Sequence, residues 1–229
     1  MNRNRPLARW LFVLSGATFA SLSCLAGAAV PETYRAAAPE GLVFVPSRML
    51  DEVYLRPSAD FVSYRKVMID PVQVSFRKNW RKDQNSTRDV SRWISQTDAD
   101  EILQVASASF ARMVADEFTA KGFEIVAGPG AGVLRVTPTA TDLDVYEPDV
   151  TFSRPQALFT NDAGTATLRL EARDGSSGAL LSVIVDRGTA TQLRMINRTT
   201  QTSNLFWFDA MFRLWTANCI AAIQSAPVR

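Results

Sequence analysis

The residues best suited to chemistry in this 229-residue chain lie in a basic and aromatic stretch at positions 76–93. Six basic residues stand there against two acidic ones, Asp83 and Asp89, which leaves a local charge of about +4. The basic residues are Arg77, Lys78, Arg81, Lys82, Arg88 and Arg92, and the aromatic ones are Phe76, Trp80 and Trp93. Such a mixture can hold an anionic polymer, a glycan or a lipid headgroup. The alternative is a solvated connecting loop whose aromatic rings tuck under the fold.

A second pattern, Ser63 followed three residues later by Lys66, matches the Ser-x-x-Lys of penicillin-binding enzymes. That chemistry needs both side chains on one face of a helix. Here the segment leads into a predicted strand, where an odd spacing places the two side chains on opposite faces. The companion Ser-Asp-Asn and Lys-Thr-Gly motifs are absent from the sequence. The pattern therefore predicts the start of a strand rather than an acylating serine.

Three glycines, Gly128, Gly130 and Gly132, imitate a phosphate-binding loop. A dinucleotide or nucleotide loop needs a helix directly after its glycines, and here a predicted strand follows instead. These glycines therefore predict a turn between two strands.

Four carboxylates fall within eight residues of each other and could form a weak calcium site. They are Asp142, Asp144, Glu147 and Asp149. The turn glycine of a calcium loop is missing, so a solvated strand end is the better interpretation. The same groups cannot be assigned as an acid and base for glycoside cleavage without a groove to hold a sugar.

The chain contains no histidine. This excludes Ser-His-Asp and Cys-His catalysis, histidine-ligated zinc or iron, and a histidine pH switch. We therefore predict no catalytic residue, no metal and no cofactor.

The first 29 residues have the layout of a signal peptide. Arg3, Arg5 and Arg9 precede an apolar run that ends near Leu25, and the small residues 26–29 follow it. We predict cleavage after Ala28 or Ala29; the alternative is a retained membrane anchor. Because this segment holds three of the 25 basic residues and none of the 23 acidic ones, the mature protein carries a charge of about −1. A nucleic-acid partner is not expected.

The two cysteines are consistent with export. Cys24 lies in the signal region, so no disulfide can form within the mature chain. Lipid attachment at Cys24 is the alternative, and only then would the domain be tethered to a membrane, but Ser21-Leu22-Ser23 is out of order for a lipoprotein box. Cys219 has apolar neighbours and is predicted to be a buried, inert thiol.

The pattern after residue 40 predicts one domain at 41–229, with residues 30–40 as a linker or arm. A strand is expected at 64–76, with Pro71 at a bulge or edge, and an irregular polar connection at 77–96. Thr97 and Asp100 predict a helix start, and Gly122 a helix stop. Further strands are expected at 123–126, 133–145, 165–173 and 179–191, with a hairpin at 174–178 and a last helix at 203–225. Within 165–173, one face carries Ala166, Leu168, Leu170 and Ala172.

This order predicts an α+β fold: a single domain with a mostly antiparallel sheet and two main helices on one face. The last helix is apolar over more than one stripe. Its Trp207 and Trp215 are eight positions apart, which is about 80° of net rotation. One should therefore lie in the core, and the other is a candidate partner contact.

Four stretches resemble an uncharacterised bacterial envelope family, the domain of unknown function 3313 (DUF3313). They are YLRPSADFVSYRKVMIDPVQVSF at 54–76, GPGAGVLRVTPTATDL at 128–143, ATLRLEARDGSSGALLSVIVDRG at 166–188, and the closing Trp207, Phe212 and Trp215. The resemblance spans about residues 41–226. It implies an exported protein, commonly a lipoprotein, and it implies no activity or catalytic residues.

We therefore expect an exported envelope domain that acts in the periplasm as a non-catalytic protein-binding or structural module. Association with the outer membrane is the alternative location. Its partner would be another envelope protein or an anionic envelope surface. The alternative is a histidine-independent enzyme or carrier acting on a cell-wall or small anionic ligand. The candidate contact residues are Arg77, Lys78, Trp80, Arg81, Lys82, Trp93, Trp207 and Trp215.

Overall fold

A computed structural model describes residues 38–39, 41–57, 59–146, 162–191 and 204–225. The chain divides into two units, Met1–Arg35 and Ala36–Arg229, and every described residue belongs to the second. The predicted signal peptide, including Cys24, and most of the predicted arm lie outside the described residues. So do Glu147 and Asp149.

The described residues form eight strands in one sheet. The strands are β1 (Val43–Phe44), β2 (Glu52–Leu55), β3 (Lys66–Ile69), β4 (Gln73–Phe76), β5 (Glu124–Ile125), β6 (Val133–Val145), β7 (Asp162–Asp174) and β8 (Leu180–Thr191). Their order across the sheet is β1-β2-β8-β7-β6-β3-β5, and β4 also pairs with β6. All pairs from β1 to β6 along this path are antiparallel, whereas β3, β4 and β5 are joined by parallel pairs.

The strand predicted at 64–76 is two strands in the structure. Both β3 and β4 run parallel to β6, and the pairing stops between them after the Asp70 N–H donates to the Val136 carbonyl at 2.9 Å. Proline has no backbone N–H to donate to a strand ladder, so Pro71 interrupts the pairing at this sheet position. The predicted irregularity at Pro71 is confirmed.

In the described part of the chain, three α-helices accompany the sheet: α1 (Trp80–Ser86), α2 (Gln96–Ala120) and α3 (Asn204–Gln224). The predicted start of α2 at Thr97 was wrong by two residues. Ser95 is the N-cap, because its hydroxyl accepts the Asp98 N–H while the Asp98 side chain accepts the Ser95 N–H. The predicted stop is confirmed, with Gly122 in the left-handed region at φ 84°.

One continuous core lies between a single face of the sheet and the helices α2 and α3. The predicted stripe of β7 faces it, since none of Ala166, Leu168, Leu170 and Ala172 is more than 3% exposed. Phe110 of α2 and Phe212 of α3 are 0% exposed and stack with their ring centres 4.4 Å apart. The α+β fold with a mostly antiparallel sheet and helices on one face is therefore as predicted.

Candidate functional site

Residues 77–96 are more ordered than the sequence pattern predicts. They contain α1 and a 3₁₀ turn at Val90–Arg92, so an irregular connection was the wrong prediction for these residues. The reason is a long-range anchor: the indole Nε1 of Trp80 donates to the Val145 carbonyl of β6 at 3.2 Å. Gln84, one helical turn later, donates to the same carbonyl at 3.2 Å. These two bonds hold a seven-residue helix that would not be stable alone.

Trp80 is a core residue, with 1% of its surface exposed. Its ring stacks on Phe76 with the ring centres 3.8 Å apart and the planes 4° from parallel. The structure therefore places Trp80 beneath the basic segment, and its ring is not part of the exposed surface.

Arg77 is held by two carboxylates. Its Nε donates to Asp144 Oδ2 at 2.8 Å, and its Nη1 donates to Asp83 Oδ2 at 2.5 Å. The hydrogen bonds to Asp83 and then Asp144 raise the pKa of Arg77 above its ordinary value. Asp144 follows a break in the β6–β7 register, where Asp142 adopts a φ of 53°. Arg77 thus ties α1 to this bulge, and its charge is neutralised within the fold.

The other cations at the start of α1 are exposed. Lys78, Arg81 and Lys82 form no ion pair with any described residue. We refer to these three residues as the basic patch. Arg81 and Lys82 also line a cavity of about 320 Å³. Its other lining residues are Phe76, Arg77, Asn79, Trp80, Gln96 and Ala99. The basic patch therefore presents positive charges without ion-pair partners among the described residues, beside this open cavity.

A hydrogen-bonded turn follows α1 at residues 88–93. Asn85 fixes it to the helix end, because its side chain accepts the Ile94 N–H at 2.8 Å and donates to the Ile94 carbonyl at 3.0 Å. Ile94 is buried, but Trp93 remains 53% exposed and Val90 72% exposed. The Nε1 of Trp93 donates to the Arg88 carbonyl at 3.2 Å. The structure therefore presents Trp93, unlike Trp80, at the surface.

The tryptophans of α3 have different environments. Trp215 is 2% exposed and lies 5.8 Å from the Phe110 ring, measured between ring centres. This confirms that one of the two belongs to the core. Trp207 is half-buried and packs against the same core. The contact role of Trp207 stays a prediction.

The enzyme-like motifs are not assembled into a site. Ser63 ends a 3₁₀ turn and donates to the Asp60 carbonyl at 2.7 Å, while Lys66 starts β3 and pairs with Glu124 at 3.8 Å. The three glycines lie between β5 and β6, which confirms a strand-to-strand turn. In the described part of the chain, no three acidic, cysteine or histidine side chains are close enough to hold a metal ion.

Two carboxylates have shifted pKa values and contacts with residues far away in the sequence. The Asp51 N–H donates to Asp186 Oδ1 at 3.3 Å across 135 positions. Burial, and then the charge of Asp51, raise the pKa of Asp186 to about 6. At the β7–β8 hairpin, Tyr64 donates to Asp174 Oδ2 at 2.7 Å. The Ser177 N–H is the main cause of the lowered pKa of Asp174, about 2. The Ser177 bond is local to the predicted hairpin, whereas only the three-dimensional structure reveals the contacts of Asp51 with Asp186 and of Tyr64 with Asp174.

Cys219 is buried, as predicted, with 0% exposure. Burial raises the pKa of its thiol well above the usual value, so it is a poor nucleophile in the folded domain. Among the described helices, none combines the length and apolar character that a bilayer crossing requires.

The family model described as "Protein of unknown function (DUF3313)" matches residues 43–218. Two solved structures are similar at low identity. A PelC dodecamer from Paraburkholderia phytofirmans is 11% identical with a TM-score of 0.34, over 76% of this chain and 98% of that one. A DUF4136 family protein from Bacteroides thetaiotaomicron is 10% identical with a TM-score of 0.31, over 82% of this chain and 100% of that one. No curated protein matches this sequence.

Proposed function

The chain belongs to the DUF3313 family, and we propose that it is a non-catalytic binding module of the bacterial envelope that recognises an anionic surface. The observation that carries this proposal is the basic patch. Lys78, Arg81 and Lys82 keep their charge exposed, whereas the adjacent Arg77 is neutralised by Asp83 and Asp144. Exposed charge of one sign attracts a partner of the opposite sign and orients it on approach.

The cavity beside the patch supports binding rather than catalysis. Its lining residues provide cations, two side-chain amides and two aromatic rings. None of these lining residues carries a carboxylate, a thiol or a hydroxyl group. The cavity thus offers positive charge and side-chain amides above two rings that already stack on each other, and it lacks the paired acid and base or activated nucleophile that a hydrolytic site needs.

The envelope location is part of the proposal and rests on the sequence of residues 1–29. Export with ordinary processing gives a mature protein that begins at Ala29 or Val30. Mass spectrometry of the protein from the envelope fraction measures this directly. A mature protein that begins with a lipid-modified Cys24 would replace ordinary processing by a lipid anchor, and recovery of the unprocessed chain from the cytoplasm would overturn the envelope location.

The binding proposal is tested by removing the patch charges together. The triple variant Lys78→Ser, Arg81→Ser and Lys82→Ser should fold normally, since exposed substitutions change stability by less than about 0.5 kcal/mol each. It should lose most of its retention on isolated envelopes in a sedimentation assay. Retention of the parent should weaken as salt rises, because exposed charges are screened over about 8 Å at physiological ionic strength.

A matched control removes three exposed cations elsewhere on the domain. Arg48, Arg65 and Lys121 are exposed and form no ion pair with a described residue. Their replacement by serine changes the net charge equally, so it separates a local site from a general effect of charge. Equal losses in both triple variants would contradict a specific patch, and equal retention of the patch variant and the parent would refute the proposed function.

A further inference from the structure

The turn at residues 88–93 places apolar side chains beside positive charge. Its 3₁₀ segment is Val90–Arg92, and Trp93 follows as the C-cap. Val90 begins the 3₁₀ segment and Trp93 follows its end three positions later, so the two side chains are one 3₁₀ turn apart along the chain. Both are more than half exposed. Arg92 is exposed between them, so the turn combines an apolar pair with a cation.

Trp93 can leave water without losing a hydrogen bond. A buried indole normally needs a partner for its N–H, and an unpaired one costs free energy on transfer to an apolar phase. Here the N–H is already bonded to the Arg88 carbonyl of the same turn. The exposed ring is therefore ready for an apolar environment. The two bonds between Asn85 and Ile94 hold the turn in this conformation before any contact is made.

The size of the apolar pair limits what it can bind. A stable protein interface buries about 800 Å² on each partner, far more than two side chains supply. A lipid surface requires less, because a few inserted apolar groups and several cations act together on an anionic bilayer. Each Lys or Arg near such a surface strengthens partitioning about fivefold. The basic patch and Arg92 provide four of them.

We infer that the anionic surface recognised by this domain is a lipid bilayer with acidic headgroups. The cations contact the headgroups, and the Trp93 and Val90 side chains enter the interfacial region of the bilayer. This inference rests on the function proposed above. Among the exposed side chains of residues 78–93, the four cations of the basic patch and Arg92 stand against two carboxylates, Asp83 and Asp89.

The test uses phosphatidylcholine vesicles with and without phosphatidylglycerol, and the protein purified from the envelope fraction. The parent should sediment with the acidic vesicles and lose that binding in high salt. Trp93→Ala should weaken vesicle partitioning at least about tenfold, because about half of a large ring no longer enters the interface. Val90→Ser, a milder change in the same pair, should weaken it less. Leu214→Ala is the matched control, because Leu214 is 56% exposed but lies on α3.

Insertion of the ring itself is measured with bromine-labelled lipid chains, which quench tryptophan emission on contact. Quenching of the parent should exceed that of Trp93→Phe, while Trp207→Phe should be quenched as the parent is. A soluble polyanion, heparin, serves as the second arm. Trp93→Ala should bind heparin as the parent does, and the triple patch variant should bind neither heparin nor vesicles.

The outcomes separate the two proposals. Salt-sensitive binding to heparin without binding to acidic vesicles would overturn the lipid inference and leave the proposed function standing. Loss of neither interaction in the triple variant would overturn both. Equal vesicle binding by the parent and Trp93→Ala, with unchanged thermal melts, would refute insertion.

Discussion

Replacing Asp186 by asparagine should stabilise the folded domain at neutral pH. The carboxylate of Asp186 is half-buried and lies beside Asp51, and its pKa in the folded protein is about 6. An unfolded aspartate has a pKa of about 3.9. Between these values the folded state holds more protons than the unfolded state, so stability falls as pH rises. Above about pH 6 the full cost of the ionised group is present, and below about pH 4 it is absent.

The magnitude follows from the difference between the two pKa values. Two pKa units correspond to about 2.7 kcal/mol. The Asp186 side chain keeps some contact with solvent, which screens its charge, so we expect about 1 kcal/mol. Asparagine keeps an oxygen that can accept the Asp51 N–H, now at 3.3 Å from Asp186 Oδ1. The substitution therefore removes the charge and retains the hydrogen bond.

Denaturant unfolding of parent and variant at a series of pH values measures this effect. Asp186→Asn should be more stable by about 1 kcal/mol at pH 7 to 8, or about 2 to 4 °C in melting temperature, and the gain should vanish near pH 4. Asp89→Asn removes one exposed charge and is the control, with a change below about 0.5 kcal/mol. A gain that persists at pH 4, or a loss of stability at pH 8, would refute the argument from burial.

Three other substitutions test the packing and the charge pairs. Trp215→Ala should cost about 3 to 5 kcal/mol in denaturant unfolding because it empties the core, whereas Leu214→Ala beside it should change little; equal costs would contradict the assignment of these two positions. Because the pKa of Asp174 is lowered to about 2, its carboxylate stabilises the fold above about pH 4, and this stabilisation is lost as the pH falls to about 2. The stabilities of the parent and Asp174→Asn, measured by unfolding at a series of acid pH values, should therefore converge near pH 2. Arg77→Gln should destabilise the domain by about 1 to 3 kcal/mol, because it leaves two carboxylates without their cation; an unchanged unfolding midpoint would disprove its anchoring role.

The sheet and the long helix could be predicted because their signals are local and repeated. Apolar residues that alternate with polar ones along β7 place one face of this strand in the core. The end of α2 is equally local, since Gly122 supplies a left-handed residue directly after the last turn. The start of α2 was harder to predict than its end, because both Ser95 and Thr97 are followed three positions later by an acidic residue. Only the observed bonds of Ser95 distinguish the two caps.

The sequence locates the candidate site, but it does not show which of the basic side chains remain without an ion-pair partner. Its positive charge is a property of composition, so the basic stretch was visible at once. Which of its cations remain available depends on Asp144, 67 positions from Arg77, and on where the bulge of β6 directs that carboxylate. A local pattern carries no information on such a pair. Arg77 therefore belonged to the sequence-based contact set although the fold neutralises it.

Two tryptophans of the same stretch differ in exposure because only one of them forms a long-range hydrogen bond. Both Trp80 and Trp93 lie next to basic residues in the sequence, so the sequence does not distinguish them. The indole N–H of Trp80 bonds to β6, and the ring is buried with it, so this residue positions α1. The indole N–H of Trp93 bonds within its own turn, and the ring stays exposed. The exposed part of the Trp93 ring does not leave water when the domain folds. The free energy of removing it from water therefore adds nothing to folding stability, and the proposed contact can still use it. The same fold that buries the first ring therefore leaves the second at the surface, where the proposed lipid contact requires it.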